Sequence, residues 1–279
     1  MTASAARISP AVPPPAQAAP KPGALEDFLE DIDRLFWLPR PMPAPADRAR
    51  ALVDSIDWSQ PTIVVWVPGT NDHEVPDHLR RRLATVHGPA AYCMDYVSTW
   101  QVRTSEPDGE ATLRELLSLV ARHKRPGQKF VLIGESQGAW VISEVLKDPM
   151  FASIVDRASL LAHPALASAH AHDSTSTDVH LDPKRVHEFN TPGDVVTREV
   201  GKSSSRVIDL VDSFASLRIG RSLGLVGEIL LTDPGLVQAL IASQLFRVNG
   251  TQNPHSSEAL MQGAVDWILE RPADTSSSH

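Results

Sequence analysis

The chain has one cysteine, Cys93, so it cannot form an internal disulfide, and its cysteine content does not point to an oxidising compartment. Cys93 itself reads as a small buried hydrophobe in a strand rather than a reactive thiol. No window approaches the ~18 apolar residues that a membrane-spanning helix needs. Residues 1–24 are rich in Ala and Pro and hold no unbroken apolar core of the kind a secretory signal requires, so the cytoplasm is the expected compartment. Positive charge is also in short supply. Lys and Arg number 26 against 34 Asp and Glu, for a formal net charge of -8. That balance argues against nucleic acid as a partner, because phosphate binding needs a clustered basic face. The short basic run Arg80-Arg81-Arg82 follows Asp77 and reads as a solvated helix face. There is no internal repeat.

What remains is an ordinary globular composition, 42% hydrophobic and 22% charged, over 279 residues, enough for one large domain or two small ones. Residues 1–24 read as a disordered Pro-rich leader. From Leu25 to Leu38, the apolar residues Leu25, Phe28, Leu29, Ile32, Leu35 and Phe36 recur at helical spacing, until the prolines between Pro39 and Pro45 end the pattern. A second helix is expected from Ala46 to about Ile56.

An α/β rhythm then sets in. Thr62 to Val67 is a continuous apolar, β-branched run that stops at Pro68-Gly69, the mark of a strand buried on both faces. Further strands are expected at Ala90–Tyr96, Lys129–Gly134, Ala158–Ala162 and Arg185–Phe189. Helices are expected at Pro76–Val86, Glu110–His123, Ala139–Leu146 and Leu260–Leu269. Strands alternating with helices predict an α/β fold, with a mostly parallel central sheet flanked by helices. Residues 167–183 read as a polar surface loop. Residues 203–248 read as a helical, cap-like insertion, and 275–279 as a disordered tail, so that 25–274 form a single domain.

The chemistry is concentrated in Gly134-Glu135-Ser136-Gln137-Gly138. A Gly-x-Ser-x-Gly segment carries most weight where it joins a strand to a helix, and Phe130-Val-Leu-Ile133 enters this one while Ala139-Trp-Val-Ile142 leaves it. The glycines permit a tight turn, the strained serine presents its hydroxyl, and the following helix directs its positive end at the site. Ser136 is therefore the candidate nucleophile. A serine hydroxyl needs a base oriented by an acid. Asp194 fits the acid, since it follows the last predicted strand and the turn Pro192-Gly193, whereas Asp173 and Asp178 lie in the polar loop with no strand before them. If the chain follows the α/β-hydrolase order of serine, acid and then histidine, only His255 and His279 follow Asp194, and His279 is the last residue, so that His255, just before the final helix, is the expected base. An oxyanion needs two aligned N–H donors. Gln137, next after the nucleophile, supplies one, and Thr70, in the loop after the first strand, supplies the other. No cofactor or metal is called for: His170-Ala-His172-Asp173 reads as a plain polar loop. His163-Pro164 falls near the pocket with no role assigned.

With these residues assembled, the chain resembles the α/β-hydrolase superfamily, and within it the cutinase-like serine esterases and the related mycobacterial PE-PPE-type hydrolase domain. The likeness is carried by Gly134-Glu-Ser-Gln-Gly-Ala139, by Asn190-Thr-Pro-Gly-Asp194-Val-Val and by Val67-Pro-Gly-Thr70, and spans roughly residues 60–270. It implies Ser136, Asp194 and His255 as a triad, with Gln137 and Thr70 at the oxyanion hole. The chain departs from secreted cutinases in having no disulfide, and Glu135 stands where an aromatic is usual. The implied activity is cleavage of a lipophilic ester or thioester through an acyl-enzyme. An acyltransferase, thioesterase or cyclase served by a carrier protein is the alternative, and a non-catalytic binding protein of the same fold is a second.

Overall fold

A computed structural model describes residues 42–70, 72–85, 90–99, 101–164, 185–189 and 258–269, together with Ser213 and Gly224. In chain order the elements are α1 (Pro45–Ser55), β1 (Thr62–Val67), α2 (Asp77–Thr85), β2 (Ala91–Cys93), α3 (Val102–His123), β3 (Lys129–Glu135), α4 (Gln137–Leu146), α5 (Pro149–Ala152), β4 (Arg157–Leu161), β5 (Val186–Phe189) and α6 (Glu258–Ile268). The five strands form one sheet in the order β2-β1-β3-β4-β5, and every pairing is parallel. The leader, the helix expected over 25–38, most of the segment 203–248 and the tail lie outside the described residues.

The apolar runs form strands because both faces of the sheet are covered. Ile63, Val65 and Val67 of β1 with Phe130 and Leu132 of β3 point to one side, into a core closed by Leu113, Leu116, Leu117 and Val120 of α3 and by α1, α4 and α5. Val64 and Trp66 with Val131 and Ile133 point to the other side, against Leu79 and Leu83 of α2 and Met261, Ala264 and Val265 of α6. Each such side chain, once buried, contributes roughly 1.5–3 kcal/mol. No alternation of polar and apolar residues is left for a wet face.

Two elements differ from expectation. The helix α3 begins at Val102, eight residues before the periodicity becomes legible, and passes through Pro107. Tertiary contacts override local propensity there. Asp108 takes the guanidinium of Arg48 at 2.7 Å and the backbone N–H of Val97 at 2.8 Å. Gly109 packs so closely that a Cβ on it would stand 2.8 Å from Val141 and 2.9 Å from Tyr96. The strand β2 stops at Cys93, although Met94 still donates its N–H to the Trp66 carbonyl at 2.8 Å. Beyond it Tyr96 turns into the core, fully buried.

The strand order places a topological switch between β1 and β3: the chain leaves β1 toward one edge of the sheet and returns at β3 on the other side of β1. In open parallel sheets ligands bind outside the C-terminal ends of the strands at such a point.

Candidate active site

Ser136 stands at that switch, between the end of β3 and the start of α4. Its backbone is left-handed, with φ 49° and ψ -114°, a conformation that costs a residue with a side chain about 1–3 kcal/mol and persists only where the surroundings enforce it. Three constraints enforce it here. The Ser136 N–H donates to the Leu161 carbonyl at the end of β4 at 2.8 Å, and the Ser136 carbonyl accepts from Trp140 N–H at 3.1 Å. The two flanking glycines let the turn close. A Cβ on Gly134 would lie 2.7 Å from the Gly138 backbone, and one on Gly138 would lie 2.1 Å from the Val67 carbonyl oxygen. The Ser136 hydroxyl makes no capping bond to the first turn of α4.

The loop after β1 runs directly alongside. Gly69 is buried, and a Cβ on it would meet the Glu135 carbonyl oxygen at 3.4 Å and Ser136 Cβ at 3.6 Å. Asp72 donates its N–H to the Gly69 carbonyl at 3.2 Å, which folds Gly69-Thr70 into a tight turn. Ser98 donates its hydroxyl to the Asp72 carbonyl at 3.0 Å and ties that turn to the chain leaving β2. Ser136, Gln137 and the Gly69-Thr70 turn are thus brought together. Asp194 and His255 lie outside the described residues, as do Asp173, Asp178 and the His170-Ala-His172-Asp173 loop.

Gln137 is buried although it is polar, because its side chain is bonded at both ends. Its Nε2 donates to the Thr99 carbonyl at 3.3 Å, and its Oε1 lies 3.3 Å from the Tyr96 hydroxyl. That hydroxyl donates to the Pro68 carbonyl at 2.8 Å, so the longer contact to Oε1 is the weaker branch of a shared donor. Tyr96 thereby joins the exits of β1 and β2 to the first residue of α4. Burial, and after it the charge of Glu106, pushes its phenol well above the ordinary range and keeps it a donor. In the sequence Tyr96 reads only as the end of a strand, with no part in the site. The available signal was a tyrosine placed after a strand, where a buried O–H must find an acceptor.

His163, just beyond β4, is 3% exposed and places Nε2 3.0 Å from the Ser143 hydroxyl oxygen of α4. Cys93 is half-buried, and burial, with the charge of Asp72, pushes its thiol up to about 12, so it is not a nucleophile near neutral pH. Among the described residues no group of His, Cys, Asp and Glu is arranged to hold a metal ion. Among them, too, no helix is long and apolar enough to cross a membrane.

The fold and the turn define an α/β protein with a strained serine at the switch point of a parallel sheet. No protein-family model matches the chain, and no curated protein matches it in sequence. Among solved structures it is similar to a Trichoderma reesei cutinase in complex with a C11Y4 phosphonate inhibitor, with 15% identity, a TM-score of 0.37, and 69% of this chain and 97% of the cutinase covered. It is also similar to Thermogutta terrifontis esterase 2 in its apo form, with 16% identity, a TM-score of 0.32, and 57% of this chain and 71% of the esterase covered. The likeness is distant, and the reading of Ser136 rests on the geometry of its turn.

Proposed function

We propose that the protein is a serine hydrolase that cleaves an ester or thioester of a lipophilic acyl substrate through an acyl-enzyme. The observation that carries this reading is the left-handed backbone of Ser136, enforced between β3 and α4 and set against the Gly69-Thr70 turn. Glycine adopts this conformation without the steric cost, so a serine kept there supports a use for its hydroxyl.

In this reading His255 takes the proton of Ser136 as the hydroxyl attacks the acyl carbon. Asp194 orients the imidazole and stabilises its charged form. The backbone N–H groups of Gln137 and Thr70 hold the oxyanion, His255 protonates the leaving group, and water then releases the acid by the reverse sequence. The helix α4 points its N-terminal end at the same place, which favours the developing negative charge.

Ser136→Ala is the test. It is expected to abolish both turnover of an activated ester and labelling by a fluorophosphonate, with the melting temperature retained. Labelling that survives the substitution would remove Ser136 from the role.

A further inference from the structure

Ser136 is held by its amide, and that amide bonds to the end of β4. What holds the end of β4 is then a question about the site. The chain leaves the sheet there abruptly. Ala162 is left-handed, with φ 48°, and donates its N–H to the Phe189 carbonyl of β5 at 2.8 Å. The next residue, His163, turns back under α4. Ser143 of α4 meets it, seven residues after Ser136 in the chain. Both partners are almost fully buried, His163 at 3% and Ser143 at 4% exposure. The Ser143 hydroxyl donates its single proton to the Trp140 carbonyl at 2.8 Å. At 3.0 Å the imidazole Nε2 is therefore the donor to Ser143 Oγ. Glu188 of β5 faces the other side of the ring, with Oε1 3.7 Å from Nδ1.

These contacts close a ring through Ser136 N–H, the Leu161 carbonyl, Ala162, the His163 imidazole, the Ser143 hydroxyl and the backbone of α4 back to Ser136. We propose that His163 is a positioning residue for Ser136: by bonding Ser143 it locks the β4 exit, which holds the Ser136 amide, to the helix that Ser136 opens. The inference rests on Ser136 being the nucleophile. Among the described residues, His163 is linked to Ser136 through Ser143 and through the β4 exit. Its effect falls on the orientation of the serine and not on the pocket for the acyl chain, so it acts on kcat and leaves KM alone.

The full chain is assayed with p-nitrophenyl butyrate and with a fluorophosphonate, alongside its melting temperature. His163→Leu is expected to lower kcat and the labelling rate by about tenfold or more while KM stays within about twofold. His163→Gln, whose amide Nε2 can still donate to Ser143, should recover most of that loss. Ser143→Ala removes the acceptor at little cost in volume and should lower kcat in the same direction. It decides the matter if the leucine variant does not fold. Labelling of His163→Leu and Ser143→Ala at the wild-type rate would overturn the inference, as would kcat, KM and melting temperature falling in step in every variant. A wild-type chain that takes no label would overturn the reading of Ser136, and this one with it.

Discussion

A Cβ built on Gly138 would stand 2.1 Å from the carbonyl oxygen of Val67 and 2.5 Å from that of Pro68. The first turn of α4 and the exit of β1 are therefore in backbone contact, and that contact sets the distance between Ser136 and the Gly69-Thr70 turn.

Backbone atoms cannot swing aside as a side chain can, so Gly138→Ala must push the two segments apart. We expect a destabilisation of about 2–3 kcal/mol in a chemical denaturation curve and, in the surviving folded protein, a loss of fluorophosphonate labelling larger than the loss of fold. Gly127→Ala is the comparison. Gly127 has φ +79° and nothing within 4 Å of a Cβ, so that variant should lose only about 1–2 kcal/mol from backbone strain and label normally. Equal labelling by both variants would show that this contact does not hold the site.

Arg48 and Asp108 form a largely buried ion pair, with the two Asp108 oxygens each 2.7 Å from the guanidinium and the side chains 4% and 20% exposed. Asp108 also holds Val97, between Tyr96 and Ser98 on the loop that reaches Gln137 and Asp72. Arg48→Ala leaves a carboxylate that is only 20% exposed without its guanidinium and should cost about 3 kcal/mol in urea unfolding, the lower end for a buried pair. The exposed pair Lys147–Glu144, with side chains 46% and 27% exposed, should show less than about 1 kcal/mol on Lys147→Ala. A small cost at Arg48 would mean that the loop is held by other contacts.

Alkaline pH should unfold the protein through Cys93 and Tyr96. Burial, the largest cause for both, raises the Cys93 thiol from 9.0 to about 12 and the Tyr96 phenol well above its ordinary value. The native chain therefore keeps protons that the unfolded chain releases. Their contribution to stability is complete below the unfolded values and is lost as pH rises toward the folded ones. The melting temperature should hold steady up to about pH 9 and fall between there and pH 12, and Cys93→Ala should flatten part of that fall. Identical slopes for variant and wild type would show that the thiol takes no part.

Much of the fold could be read in the sequence where one local rule governs. Thr62 to Val67 and Lys129 to Gly134 are short apolar runs closed by Gly or Pro, and both became parallel strands with cores on either side. The segment around Ser136 was legible for the same reason: strand, turn and helix are contiguous, and two glycines two residues to either side of a serine permit few backbone shapes. The start of α3 was not legible, because Pro107 and Gly109 argue against a helix locally, and only Arg48, Val97, Tyr96 and Val141, distant in the chain, supply the reason for one.

The sequence by itself determined that strands alternate with helices and that Ser136 lies at a strand-to-helix junction, since burial pattern and turn chemistry act over a few residues. Only the tertiary structure decided the strand order that puts β1 beside β3, the Gly69-Thr70 turn against Ser136, Tyr96 against Pro68 and Gln137, and His163 against Ser143. Those pairs are 20 to 67 residues apart. Their contact depends on how parallel strands stack and which helix covers them, a matter of packing that no local pattern encodes.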